Sequence, residues 1–209
     1  MIKTVIVEDN TYMQNHLVNM LNEEDGFEVI GVFKDSFEAE SFCKSNSVDL
    51  VLMDVQTKHN HSGLSSALHI KNDKKTKVVI VTSLIDPDVL SKARQGAADS
   101  LWYKDHGESE LIDVIKRTID GERVFPDTSP AVELNEMFSS DISPRQLIIL
   151  RRFVQGLTYE EIAEELGISK NGVRWNLDQI VEKGGFNNKH ELLAAVIENK
   201  LIVTTLKDE

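Results

Sequence analysis

Five short, almost uninterrupted apolar runs, at residues 4–7, 29–33, 50–55, 78–82 and 100–103, dominate the first 121 residues. A run without polar alternation is the pattern of a strand buried on both faces, as in a parallel sheet. Between the runs, apolar residues recur at spacings of three and four. They are Leu17, Met20 and Leu21, then Ala39, Phe42 and Cys43, then Leu64, Ala67 and Leu68, then Val89, Leu90 and Ala93, and last Leu111, Ile112, Ile115 and Ile119. That spacing is helical. Five strand–helix units with right-handed crossovers predict an α/β fold: a doubly wound, five-stranded parallel sheet in the order 2-1-3-4-5, covered by helices.

The texture changes after Gly121. Residues 122–140 include Pro126, Pro130 and several small polar residues, and they read as a linker between a first domain of residues 1–121 and a second of residues 141–209. From Asp141 onward the patterns are helical only. Ser143 before Pro144 suits a helix start, and Gly156 its end. Thr158 with Glu161 is a capping-box pair, and Gly167 closes that short helix. Ser169 caps the next helix, and Asn188 with Glu191 suggests the start of the last. The expectation is a small all-α domain.

The net charge of −12 argues against nucleic acid until it is divided. Residues 1–138 hold 14 lysines and arginines against 24 acids, whereas residues 139–209 hold 9 against 11. The acidity belongs to the first segment, and the nearly neutral second can bind DNA if its cations share one face. No apolar run is long enough for a bilayer, and the chain's first apolar run meets Glu8 and Asp9 at once, unlike a secretory leader. The single cysteine, Cys43, forms no internal disulfide, so a cytoplasmic protein without membrane partners is expected.

In a doubly wound sheet, ligands gather at the carboxyl ends of the strands. Glu8 and Asp9 follow the first strand, Asp54 ends the third, Thr82 and Ser83 close the fourth, and Lys104 follows the fifth. Crowded carboxylates repel one another, and a hard divalent cation such as Mg²⁺ relieves this with one or two of them plus water and phosphate oxygens. Asp54 is then able to attack a phosphoryl donor and become an acyl phosphate. Lys104 balances the new charge and the Thr82 hydroxyl donates to a phosphoryl oxygen.

On Glu8-Asp9, Leu52-Met53-Asp54-Val55, Ile80-Val81-Thr82-Ser83 and Gly96-Ala97-Ala98-Asp99 leading to Lys104, residues 1–121 resemble the receiver domain of bacterial two-component response regulators. The resemblance implies Asp54 as phosphoacceptor, Thr82 as switch hydroxyl, and Lys104 as the cation facing the phosphoryl group. It implies that Asp9 and Asp54 touch Mg²⁺ directly, that Glu8 acts through water, and that the Gln56 carbonyl completes the site. The chain departs from the pattern at Leu101, where receivers carry an aromatic, with Trp102 and Tyr103 expected in other environments. It also departs in the loop after Asp54, which has Lys58 in place of a proline and Gly63 one position late. His59 and His61 in that loop are expected to be solvated. A haloacid-dehalogenase-type phosphatase needs a second Asp two residues after the nucleophile; Gln56 stands there, which disfavours an enzyme.

Ser143-Pro144-Arg145, Gln155-Gly156-Leu157-Thr158, the block from Glu161 to Ser169, Val173-Arg174, Ile180 and Glu191-Leu192 resemble the helix-turn-helix domain of the LuxR/FixJ/NarL class. Val173, Leu177, Ile180 and Val181 form the apolar face of its second helix. Lys170, Asn171, Arg174, Trp175, Asp178 and Gln179 are left outward, near the end that enters a major groove. Arg174 suits guanine or phosphate, and Asn171 or Gln179 suits adenine. Trp175 suits a sugar–phosphate edge, a thymine methyl, or a surface of the first domain. Gly172 replaces the usual Thr and weakens the helix by about 1 kcal/mol relative to Ala. Asn176 replaces a usual His, and Asp178 is expected to repel the DNA backbone. Leu192, Leu193, Val196 and Ile197 offer a pairing surface.

The sequence therefore predicts a phosphorylation-controlled, DNA-binding transcription regulator, not an enzyme. A histidine kinase would supply the phosphoryl group, and the regulator would bind double-stranded DNA as a homodimer. The competing reading keeps both folds but makes the receiver a constitutive dimerisation or protein-binding module.

Overall fold

The computed structural model describes residues 1–73, 75–104 and 107–203. The chain divides into two compact units, Met1–Thr128 and Ser129–Glu209.

In the first unit, β1 (Ile2–Val7), β2 (Phe27–Phe33), β3 (Leu50–Met53), β4 (Lys77–Thr82) and β5 (Ser100–Tyr103) form one parallel sheet in the order β2-β1-β3-β4-β5. The helices α1 (Thr11–Glu23), α2 (Ser36–Ser45), α3 (Gly63–Asp73), α4 (Pro87–Lys92) and α5 (Glu108–Ile119) alternate with the strands as expected. Ile6, Leu52, Val79, Val81 and Trp102 form the sheet side of one core; Leu17, Met20 and Leu21 of α1 and Leu111, Val114 and Ile115 of α5 close it. Leu101 and Tyr103 alternate with Trp102 and so belong to the opposite face, where both are buried. Register decides what meets at the strand ends. Val7 stands beside Met53, which brings the next residues, Glu8 and Asp54, together, and Thr82 stands beside Tyr103, which places Lys104 next to it.

The stretch expected as linker is largely engaged. Edge strand β5 needs an acceptor for its outward amides. Val124 supplies one, accepting from the Leu101 amide at 2.9 Å and donating to Ser100 Oγ at 2.9 Å. Arg94 donates to the carbonyls of Pro126 and Asp127, and Arg123 donates to the carbonyl of Arg94 at 2.7 Å while stacking on Phe125.

Further along, β6 (Glu133–Leu134) and β7 (Met137–Phe138) form a hairpin in the second unit. Asn135 in its turn donates to the carbonyl of Gly184 at 2.8 Å, and Leu134 and Met137 are buried. Four helices follow: α6 (Pro144–Val154), α7 (Tyr159–Leu166), α8 (Lys170–Lys183) and α9 (Lys189–Glu198). Ser143 and Thr158 make capping boxes with Gln146 and Glu161, and Gly167 is left-handed (φ 63°), so α7 ends there. Ile149, Ile162, Val173, Leu177, Ile180, Leu192 and Val196 form the core of this unit, with Val181 only partly buried. Residues 204–209 of the expected second domain lie outside the described residues. Among the described residues, no helix is long and apolar enough to cross a membrane.

Candidate functional site

The carboxyl ends of β1 and β3 bring Glu8, Asp9 and Asp54 together, with ligand oxygens all within 4.8 Å of one another. Glu8 and Asp54 are buried and Asp9 is exposed, so the cluster opens to solvent on one side. Lys104, from the end of β5, donates to Glu8 Oε2 at 2.6 Å and to Asp54 Oδ2 at 2.8 Å. The other Asp54 oxygen accepts from the Val55 amide at 2.7 Å. Burial, with Glu8 adding repulsion, pushes the Asp54 carboxyl up to about 6 against the pull of Lys104. Burial lowers the Lys104 ammonium, but Asp54 and Glu8 outweigh it and hold the group above its usual value. Three carboxylates against one ammonium leave an excess of negative charge in a partly closed pocket. Oxygen donors at this spacing fit a small divalent cation such as Mg²⁺.

Thr82 is fully buried at the end of β4; its hydroxyl accepts from the Leu84 amide at 3.1 Å, and its carbonyl accepts from the Lys104 amide at 2.9 Å. Gln56 is exposed and pairs with Ser62 across the loop after β3. That loop is closed by a backbone approach only glycine permits: a Cβ on Gly63 would sit 1.9 Å from the Asp54 carbonyl oxygen. The late glycine is thus seated against the backbone of Asp54.

Of the two histidines expected to be solvated, His61 is engaged. Its Nδ1 lies 2.9 Å from Asp35 Oδ2, and Asp35 is the buried N-cap of α2. Burial alone would raise the Asp35 carboxyl, but His61 and the amides of Phe37 and Glu38 hold it below the usual carboxylate value. Sequence reading missed this pair because 26 residues separate its members.

In the second unit, Lys170, Asn171, Arg174 and Trp175 are exposed on one side of α8, and Asp178 and Gln179 are partly exposed. Lys170 pairs with Glu160 of α7. Asp178 does not stand as an unpaired carboxylate. It is paired with Lys189 of α9 and lies 3.4 Å from Arg174, and both cations hold its carboxyl below the usual value. Gly172 has open space beside it apart from Ser169 Oγ, which a Cβ would meet at 3.3 Å. On α9, Leu192 and Val196 close the unit's own core, leaving Leu193 partly buried and Ile197 half exposed.

Residues 4–116 match the response regulator receiver domain family, and residues 140–196 match the bacterial regulatory proteins of the luxR family. The transcriptional regulatory protein DesR of Bacillus subtilis is 30% identical over 196 residues, covering 92% of this chain and 95% of DesR. Among solved structures, two RcsB dimers bound to two parallel DNAs give a TM-score of 0.65 at 18% identity, covering 94% of this chain and 98% of that one. RcsB from Salmonella enterica serovar Typhimurium, bound to a promoter in the presence of the phosphomimetic BeF3-, gives 0.63 at 18% identity, with the same shares covered.

Proposed function

Because the chain belongs to the response regulators that join a receiver domain to a luxR-family DNA-binding domain, we propose that Asp54 is its phosphoacceptor and α8 its DNA-reading helix. The protein is a DNA-binding transcription regulator and not an enzyme. The observation that carries the assignment of Asp54 is the convergence of Glu8, Asp9 and Lys104 on its carboxylate.

The kinase partner presents a phosphohistidine. An Asp54 oxygen forms a bond to phosphorus while the P–N bond breaks, and the imidazole departs with a proton from solvent. With a carboxyl near 6, Asp54 is ionised at neutral pH and is competent as a nucleophile. Lys104 is already placed to offset charge on the incoming phosphoryl oxygens. For Thr82 to donate to one of them, its hydroxyl turns toward the pocket from its present contact with the Leu84 amide. Asp9, Asp54 and the Gln56 carbonyl would hold Mg²⁺, with Glu8 acting through water, and the ion would supply Lewis-acid stabilisation of the phosphoryl charge. The complete carboxylate–lysine set favours a phosphorylated receiver over a constitutive docking module.

In the second unit, Arg174, Asn171, Gln179, Lys170 and Trp175 contact DNA. Two copies bind together, as do the RcsB dimers on DNA. Phosphorylation acts by shifting the receiver toward the state that dimerises. The protein works in the cytoplasm, where kinase and chromosome both reach it. Sedimentation and DNA mobility-shift measurements, with and without acetyl phosphate, test this coupling. Dimer formation and tighter DNA binding on phosphorylation are expected, whereas unchanged mass and affinity would support the constitutive module.

A further inference from the structure

The geometry points to Trp175 as a specificity-determining residue that reads the C5-methyl group of thymine in the major groove. This rests on the reading of α8 as the DNA-facing helix and adds the chemistry of what that helix recognises. Trp175 is 60% exposed although it is the largest apolar side chain on α8. It is on the side away from the buried Val173, Leu177 and Ile180, with Asn171 and Gln179 one helical turn to either side and Arg174 beside it. Among the described residues, no aromatic ring or cation is stacked on the indole.

The ionic setting of α8 makes an apolar contact weigh more. Lys170 is paired with Glu160, and Arg174 lies against Asp178, whose carboxylate also holds Lys189. The cations on this face are therefore partly compensated before DNA arrives, which weakens the sequence-independent attraction to phosphate. Discrimination then falls to the base edges. In the major groove those edges are hydrogen-bond donors and acceptors, with one apolar exception, the thymine methyl. An indole laid against guanine, cytosine or adenine covers polar groups, for which its single N–H is a poor match. Against thymine it buries a methyl group, while Asn171 and Gln179 remain in reach of an adjacent adenine.

The test uses the full-length protein treated with Mg²⁺ and acetyl phosphate. Preferred duplexes are first selected from a random-sequence pool, and each thymine in the selected site is then replaced singly by deoxyuridine, which lacks only the methyl. At one thymine in each half-site, the wild type should bind about fivefold more weakly, the worth of roughly one buried methyl. Trp175→Ala should bind thymine and deoxyuridine duplexes equally, and Trp175→Phe should restore part of the difference. Since the side chain is exposed, both variants should keep the wild-type melting temperature. Deoxyuridine without effect at every position, or a penalty that survives in Trp175→Ala, would overturn the inference while leaving DNA binding intact. A uniform loss of affinity in Trp175→Ala with no thymine dependence would overturn it in favour of stacking on the sugar–phosphate edge. Failure to enrich any duplex would overturn the DNA-facing reading of α8 and the thymine contact with it.

Discussion

Lys104 Nζ lies 2.8 Å from Asp54 Oδ2, and the same ammonium reaches Glu8 at 2.6 Å. One cation therefore holds two buried carboxylates apart from open repulsion. Lys104→Met should raise the Asp54 carboxyl above its value of about 6 and slow phosphorylation at neutral pH. A carbon-detected NMR titration of the Asp54 side chain, with and without the substitution, measures this directly.

The raised Asp54 carboxyl also sets a pH dependence. A carboxyl near 6 in the folded protein and 3.8 in its ordinary environment favours folding in its protonated form. That contribution is complete below pH 3.8 and is lost as pH rises through about 6. Asp54→Asn should remove this segment of the profile and stabilise the metal-free protein at pH 7 by roughly 2–3 kcal/mol. Urea unfolding at pH 5 and pH 7.5 checks it.

Gly63→Ala places a methyl 1.9 Å from the Asp54 carbonyl oxygen, a backbone atom with little room to yield. The cost should be about 3 kcal/mol or more by urea unfolding, and Mg²⁺ affinity measured by titration calorimetry should weaken with it. Gly26→Ala is a useful contrast, since nothing lies within 4 Å of its would-be Cβ and only its positive φ opposes the change.

Asp35 joins the N-terminus of α2 to the loop that follows Asp54, accepting from the amides of Phe37 and Glu38 and facing His61. Asp35→Ala should cost about 1–2 kcal/mol from the lost cap alone. Because this carboxyl is depressed in the folded protein, its contribution is present above pH 3.8 and lost as pH falls through its lowered value. Thermal melts from pH 7 downward should therefore show a wild-type advantage that holds above pH 3.8 and shrinks as the pH falls further below it.

Arg123 and Arg94 tie residues 123–127 to the edge of the sheet. Arg123→Ala should speed hydrogen exchange at the Leu101 and Val124 amides about tenfold, with the central amides of β3 unchanged.

These contacts also show where sequence reading stops. The strands were legible because β1, β3 and β4 are buried on both faces and so carry unbroken apolar runs. Placing Glu8, Asp54, Thr82 and Lys104 at strand ends then followed from strand order. Thr158 with Glu161 and the left-handed Gly167 were legible because a helix terminus leaves its mark within four residues. The β6–β7 hairpin was not, since two-residue strands are too short to show a period. Val124 on β5 looked like linker because its bonds use backbone atoms that any residue possesses. The His61–Asp35 and Lys189–Asp178 pairs join residues 26 and 11 positions apart, and no local pattern announces them. Asp178 consequently read as an unpaired carboxylate, whereas it is paired with Lys189 and Arg174.

Intact-protein mass spectrometry after incubation with Mg²⁺ and acetyl phosphate shows directly whether Asp54 takes a phosphoryl group. A single added phosphoryl group is expected, absent without Mg²⁺ and absent in Asp54→Asn. An unmodified wild-type mass in folded, Mg²⁺-saturated protein, or an adduct that persists in Asp54→Asn, would contradict it.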